Sequence, residues 1–284
     1  ESARVTSPTP WDIMNELMQG GLGGGELGVV VAPAGIGKSW VLSAMGAYAI
    51  SQGLNVVHYT LELNEAYVGL RYDSIFSGVE SQNLKYHKEE VMEKLFNLKG
   101  NLTIKYYPTK SCTVNTLSAH LKKVVTFGKK VDMVLVDYAD IMRDVHKSSE
   151  MRHALGNIYE DLRGLAGELQ VPIWTASQAN RSALDEDVIE ATKVAESYAK
   201  VMTADFVVSL SRKIEDKIGN TGRFHVIKNR FGPDGLTYPA KINTNIGKIE
   251  IFESNSVQGK NVQHKINNRD NQTKQMLSAR YEDL

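Results

Sequence analysis

An α/β fold with a mostly parallel, twisted sheet flanked by helices, and antiparallel strands at its C-terminal edge, is predicted by three features of this 284-residue sequence. Apolar strand-like runs alternate with helix-like stretches as far as Leu210, the pattern of parallel strands joined by helical crossovers. A glycine-containing turn separates the first of these strands from the first long helix. After Leu210 short strands follow one another across turn formers such as Gly232-Pro233-Asp234-Gly235 and Asn245-Ile246-Gly247, which suits antiparallel pairing.

Taken in order, residues 1–10 are rich in Ser, Thr and Pro and read as linker, and 11–18 form a short amphipathic helix. Gly20, Gly21, Gly23, Gly24 and Gly25 give a flexible lead into the first strand. The apolar runs 27–31, 56–61, 102–106, 133–136, 173–176 and 206–210 are the predicted parallel strands. Stretches 38–51, 65–76, 88–98, 113–127, 150–169 and 193–202 carry apolar residues near the helical period. The later strands are expected at 224–228, 236–240 and 249–252. Residues 254–284 are polar, with Met276, Leu277 and Tyr281 offering most of the packing, and read as a mobile tail with at most a short docking helix. The expected organisation is a linker and short helix over 1–19, one domain over 20–253 and a tail over 254–284. No internal repeat is visible.

Composition narrows the function classes. With 42% hydrophobic residues the chain can bury a substantial core. Lys+Arg 33 against Asp+Glu 33 leaves zero formal net charge, so any polyanion must be held by a local patch. Cys112 is the single cysteine, which excludes an internal disulfide and a multi-cysteine zinc site and fits a reducing compartment. No apolar run nears the roughly 18 residues needed to cross a bilayer, and no secretion signal opens the chain. A soluble protein of the cytoplasm, or of a host cytoplasm for a phage protein, is expected, with no membrane partner. Because the chain begins with Glu1, it is read as a fragment or trimmed form.

Ala32-Pro33-Ala34-Gly35-Ile36-Gly37-Lys38-Ser39 directly follows the first strand. This is the order of strand, tight turn and helix in which backbone N–H groups encircle phosphates. The candidate nucleotide contacts are Pro33, Ala34, Gly35, Ile36, Gly37, Lys38, Ser39 and Trp40. Lys38 would reach the β- and γ-phosphates, and Ser39 would join a Mg²⁺ shell. Ala32 stands where a glycine is usual; alanine tolerates most loop conformations except positive φ. The ligands expected are ATP and Mg²⁺.

Three further strand ends carry polar groups suited to the same chemistry. Asp137 closes 133–136 and is the second candidate metal ligand, beside Ser39. Glu62 follows the second strand and is either a general base for the attacking water or a solvated carboxylate. Gln178 ends 173–176 as either a γ-phosphate sensor or an amide satisfying nearby backbone. Lys228 and Arg230 alternate onto one face of the late strand. They are either a solvated edge or, in a ring, a clamp on a neighbour's nucleotide.

Together, Ala32 to Ser39, Thr60-Leu61-Glu62-Leu63, Val134 to Met142, Ser177-Gln178-Ala179-Asn180-Arg181-Ser182 and Lys228-Asn229-Arg230-Phe231-Gly232-Pro233 resemble the motor domain of DnaB-type replicative DNA helicases. Order and spacing agree across residues 10–253. The resemblance implies a RecA-like P-loop NTPase core and a homohexameric ring around single-stranded DNA. It further implies translocation and duplex unwinding driven by ATP hydrolysis, with primase and helicase-loader partners. It gives Lys38, Ser39 and Asp137 to nucleotide and metal, Glu62 to water activation and Gln178 to phosphate sensing, and sends Lys228 and Arg230 into the adjacent subunit's site. Family members often carry Arg-Glu-Ser-Gly in a DNA-holding loop, where this chain has Ala195-Glu196-Ser197-Tyr198, so Lys193 or Lys200 is expected to substitute. A second candidate DNA loop carries Arg143, Lys147 and Arg152 near His146. Complete relatives also carry an amino-terminal domain, of which a linker-like stub stands here. The alternatives are a RecA-like recombinase, against which Asn180-Arg181-Ser182 argues, and a regulatory RecA-like ATPase that binds protein rather than DNA.

Overall fold

The computed structural model describes residues 3–190 and 198–282. Nine strands form one sheet. In chain order these are β3 (Leu27–Ala32), β4 (Asn55–Thr60), β5 (Asn101–Tyr106), β6 (Met133–Asp137), β7 (Ile173–Gln178), β8 (Phe206–Ser211), β9 (Thr221–Asn229), β10 (Thr237–Asn243) and β11 (Lys248–Ile251), and they lie side by side as β11-β10-β9-β8-β3-β7-β6-β4-β5. The six strands from β8 to β5 are parallel, and β9, β10 and β11 extend the β8 edge antiparallel. A short ladder of β1 (Thr6–Ser7) and β2 (Leu22–Gly23) stands apart.

The central strands are apolar on both faces because helices cover both. Along β3, Leu27, Val29 and Val31 enter one core layer and Val30 and Ala32 the other. The first layer packs under α5 (Val114–Thr126) and α6 (Met151–Leu169), through Leu117, Leu121, Ile158 and Leu162. The second packs under α1 (Asp12–Leu17), α2 (Lys38–Ser51) and α3 (Glu65–Ser77), through Met14, Leu42, Met45, Val68 and Tyr72. α4 (Lys88–Phe96) lies outside α3. The short helices α7 (Tyr198–Met202) and α8 (Ile214–Gly219) flank β8 in sequence.

Two segments differ from expectation. The segment read as linker is tied down, since Thr6–Ser7 pairs with Leu22–Gly23 and buried Thr9 donates its hydroxyl to Asn15 Oδ1 (2.9 Å), and the short helix expected after it is present as α1 and belongs to the core. Trp11 is buried, its indole N–H donates to the Ile249 carbonyl (2.9 Å), and Met14, Met18 and Leu22 join the α2 layer. At the other end, the polar tail forms a 26-residue helix, α9 (Val257–Glu282). Its buried stripe of Gly259, Val262 and Ile266 packs on β10 and α8. A stripe with two large apolar residues is too weak to read as periodicity. The helix expected over 193–202 is described from Tyr198 on, and residues 191–197 lie outside the described part.

Candidate nucleotide site

The carboxyl ends of β3, β7, β6 and β4 are neighbours at one end of the sheet, so the residues that follow these strands meet there. Ala32 is still in the ladder, paired with Gln178, and its extended backbone needs no glycine. The turn then uses Gly35 (φ 74°) and Gly37 (φ 119°), where a side chain would be strained. α2 starts at Lys38 with no side-chain cap, which leaves its first N–H groups free for an anion. A cavity of about 380 Å³ opens over the turn, lined also by Trp40, Glu62, Arg71, Arg212, Lys217 and Thr244.

Lys38 is buried, with Nζ 3.8 Å from the centroid of the Tyr138 ring and 3.5 Å from Gln178 Oε1. Burial pushes its pKa down, and the charges of Asp137, Glu62 and Asp140 pull against that. A bound polyphosphate would supply further negative charge to hold the ammonium form. Asp137 is also buried. Desolvation pushes its pKa up, while the Ser39 hydroxyl, Lys38 and Arg71 favour the carboxylate. Its Oδ1 has no hydrogen-bond partner among the described residues. An orphaned carboxylate oxygen beside a hydroxyl is a hard-oxygen pair of the kind Mg²⁺ takes, so the donors fit the expected ion. Glu62 is exposed and lines the cavity.

Gln178 is held from three directions. Its side-chain oxygen accepts from the Tyr138 hydroxyl (3.0 Å) as well as from Lys38, and its backbone N–H donates to Asp140 Oδ2 (2.9 Å). Asp140 also accepts from Tyr159 (2.7 Å), Ser177 (3.3 Å) and Lys200 (3.1 Å). This corrects the reading of Lys200. The side chain expected to substitute as a DNA contact is fully buried and paired with Asp140, so its charge is neutralised inside the protein.

Lys228 and Arg230 are at the other end of the sheet. β9 runs antiparallel to β8, and its carboxyl end meets Asp205, whose backbone and carboxylate both bond Leu27 at the start of β3. Arg230 lies one residue past β9 rather than within it, and its guanidinium donates to Asp205 Oδ1 (3.0 Å). Arg163 holds the same carboxylate through both oxygens (3.1 and 3.2 Å). Lys228 Nζ donates to the Met202 carbonyl.

Of the candidate DNA residues, Arg143, Lys147 and Arg152 are exposed on a loop before α6 and at its first turn. Asp144 fixes the base of that loop by accepting from the His146 and Ser148 N–H groups and from Asn157. Lys193 lies outside the described residues. Sequence reasoning missed Arg71, Tyr138, Asp140, Arg212 and Lys217. Tyr138 and Asp140 sit within the quoted strand-end motif, but their roles depend on partners on β7 and α7. Arg71 stacks its guanidinium 4.9 Å from the Trp40 ring centroid, and no spacing announces that contact.

Comparisons with known proteins bear on the family and the fold of the chain. Residues 8–247 match the model for the DnaB-like helicase C terminal domain. A DnaB-like replicative helicase of Enterobacteria phage T4 is 29% identical over 238 residues, covering 78% of this chain and 49% of the relative. The replicative DNA helicase DnaB of Helicobacter pylori is 24% identical over 172 residues, covering 59% of this chain and 35% of that one. The chain thus spans half or less of these relatives' length. Among solved structures, an ATPase domain superposes with a TM-score of 0.76 at 17% identity, covering 89% of this chain and 93% of that one. A DnaB-like replicative helicase studied with primase gives 0.74 at 17% identity, covering 89% and 63%. The RadB recombinase gives 0.58 at 18% identity, covering 87% and 100%. The fold is therefore that of RecA-like ATPase domains, and by its sequence the chain belongs to the DnaB-like helicase C-terminal domain family.

Proposed function

We propose that this chain is the motor of a ring-forming replicative helicase that hydrolyses ATP between neighbouring subunits to move along single-stranded DNA and unwind duplex. One observation carries the reading. The cavity with Lys38, Ser39 and Glu62, behind which Asp137 is buried beside Ser39, and the cations Lys228 and Arg230 stand at opposite ends of one sheet. The cations of one copy therefore serve a nucleotide only in another copy.

In this mechanism the amides of the turn and Lys38 bind the β- and γ-phosphates, and Ser39 and Asp137 hold Mg²⁺, which when bound neutralises phosphate charge. Glu62 takes a proton from the attacking water. Gln178, braced by Tyr138 and Asp140, reads the γ-phosphate. Lys228 and Arg230 of the neighbour stabilise charge developing on the transferred phosphoryl group. Arg143, Lys147 and Arg152 are the proposed DNA contacts of the described part, with Lys193 in the adjoining segment. A homohexamer, a primase and a loader are the proposed partners, and a cytoplasm is the proposed setting. Among the described residues no helix is long and apolar enough to cross a membrane.

The test is the ATPase rate with and without single-stranded DNA, across protein concentrations spanning assembly. Stimulation by DNA that grows with concentration is expected. Indifference to DNA at every concentration would favour the regulatory ATPase, and DNA-dependent filaments without unwinding the recombinase.

A further inference from the structure

The C-terminal helix α9 is tied to the wall of the nucleotide cavity, and the tie runs through α8. Arg269 of α9 donates to the Glu215 carbonyl (3.3 Å), and Asp270 accepts from Lys213 Nζ (3.3 Å). Both partners belong to the α8 turn, Lys213 as its cap residue and Glu215 in its first turn. Lys213 also pairs with Asp187, and Arg223 lies within 3.5 to 3.9 Å of Asp187, Asp216 and Asp270. Behind this cluster Arg212 is buried, and its guanidinium donates to three carbonyls: Thr221 (2.9 Å), Ile36 of the phosphate turn (3.3 Å) and Ile242 (3.5 Å). One continuous polar chain thus joins α9, α8 and the turn.

What α8 brings to the cavity is Lys217. This side chain is exposed at the lip and makes no ion pair or side-chain hydrogen bond that the described residues account for. The neighbouring cations are already engaged: Arg212 on carbonyls, Lys213 and Arg223 on carboxylates. Lys217 is the α8 charge left facing the ligand, and a polyphosphate is the anion the cavity is built for.

We propose that Lys217 is a polyphosphate contact of this site and that α9, through Arg269 and Asp270, holds it in place. The proposal rests on the nucleotide reading above. Lys217 would be a binding residue; Asp270 would be a positioning residue that acts through it.

The experiment measures binding of a fluorescent ADP to the full chain for wild type, Lys217→Ala, Lys217→Arg, Asp270→Ala and the Lys217→Ala/Asp270→Ala double variant, with Lys38→Ala as reference. Lys217→Ala is expected to weaken binding about fivefold, and Lys217→Arg to restore it. Asp270→Ala should weaken binding by a smaller factor, and the double variant should be no weaker than Lys217→Ala alone, because both changes remove the same contact. Wild-type binding that is lost in Lys38→Ala establishes the nucleotide reading independently. With that in hand, unchanged affinity in Lys217→Ala overturns the contact, and additive losses in the double variant overturn the role of α9. A wild type that binds no nucleotide overturns the site and the proposal together.

Discussion

Lys38 and Arg230 stand at opposite ends of strand β3. Lys38 opens the helix that follows the strand's carboxyl end, and Arg230 is anchored on Asp205, which bonds Leu27 at the strand's amino end. A six-residue strand spans about 17 Å, so Arg230 has no route to its own cavity. Its anchorage suits a transferable group. Arg163 already satisfies both oxygens of Asp205, so Arg230 leaves without orphaning the carboxylate.

Arg230→Ala is therefore expected to keep nucleotide binding and lose hydrolysis by about 10³-fold, the scale of a removed arginine finger. Mixed with Lys38→Ala protomers, which keep their own arginine, part of the activity should return. A mixture that stays inactive at every ratio, with assembly intact, would leave the cations without a function in a neighbouring copy.

Glu62 sits at the cavity after β4, exposed to water and free of the sheet's own hydrogen bonding. Glu62→Gln keeps its size and removes its basicity, so turnover should fall by about 10² to 10⁴ with nucleotide affinity within about threefold of wild type. Equilibrium binding and single-turnover hydrolysis separate the two. Loss of binding together with turnover would make the residue structural.

Lys200→Ala is expected to act on stability. Removing one member of a buried ion pair typically costs about 3 to 5 kcal/mol, and here it leaves Asp140, which braces Gln178, without its cation. Thermal unfolding should show a large drop, and Lys200→Met should recover little, because a methionine fills the buried space without giving half-buried Asp140 back its cationic partner. A variant of wild-type stability that binds single-stranded DNA more weakly would restore the surface role.

His58 should make stability depend on pH. It is fully buried on β4, bonded to the Tyr72 hydroxyl (2.7 Å), and burial, reinforced by the charge of Arg71, pushes its pKa down to about 3 from 6.5. The unfolded chain binds a proton below pH 6.5 that the folded protein refuses until about pH 3. Stability from this group is thus complete above 6.5 and is lost as pH falls through that window. Between pH 7 and pH 5 the loss is about 2 kcal/mol. Chemical denaturation of His58→Gln beside wild type checks it: the variant, though weaker at pH 7, should lose less on acidification, and parallel pH profiles would refute the assignment.

The sequence by itself determined the nine strands of the sheet, the main helices and the turn that holds Gly35, Gly37 and Lys38. Those features rest on local causes: apolar periodicity, glycine at positive φ, and polar groups at strand ends. Glu62, Asp137 and Gln178 were legible for the same reason, since parallel strands deliver their carboxyl ends to one place. Tertiary structure decided what depends on partners distant in sequence. It buried Lys200 against Asp140, stacked Arg71 on Trp40, drew Trp11 and Met14 into the core, and turned a polar tail into α9 through Val262 and Ile266. It also sent Lys228 and Arg230 away from Lys38, because the antiparallel return of β9 reverses which end of the sheet its last residues reach. A side chain's charge is written in the sequence, but whether that charge faces solvent, a carboxylate or a neighbouring subunit follows from how the strands are ordered.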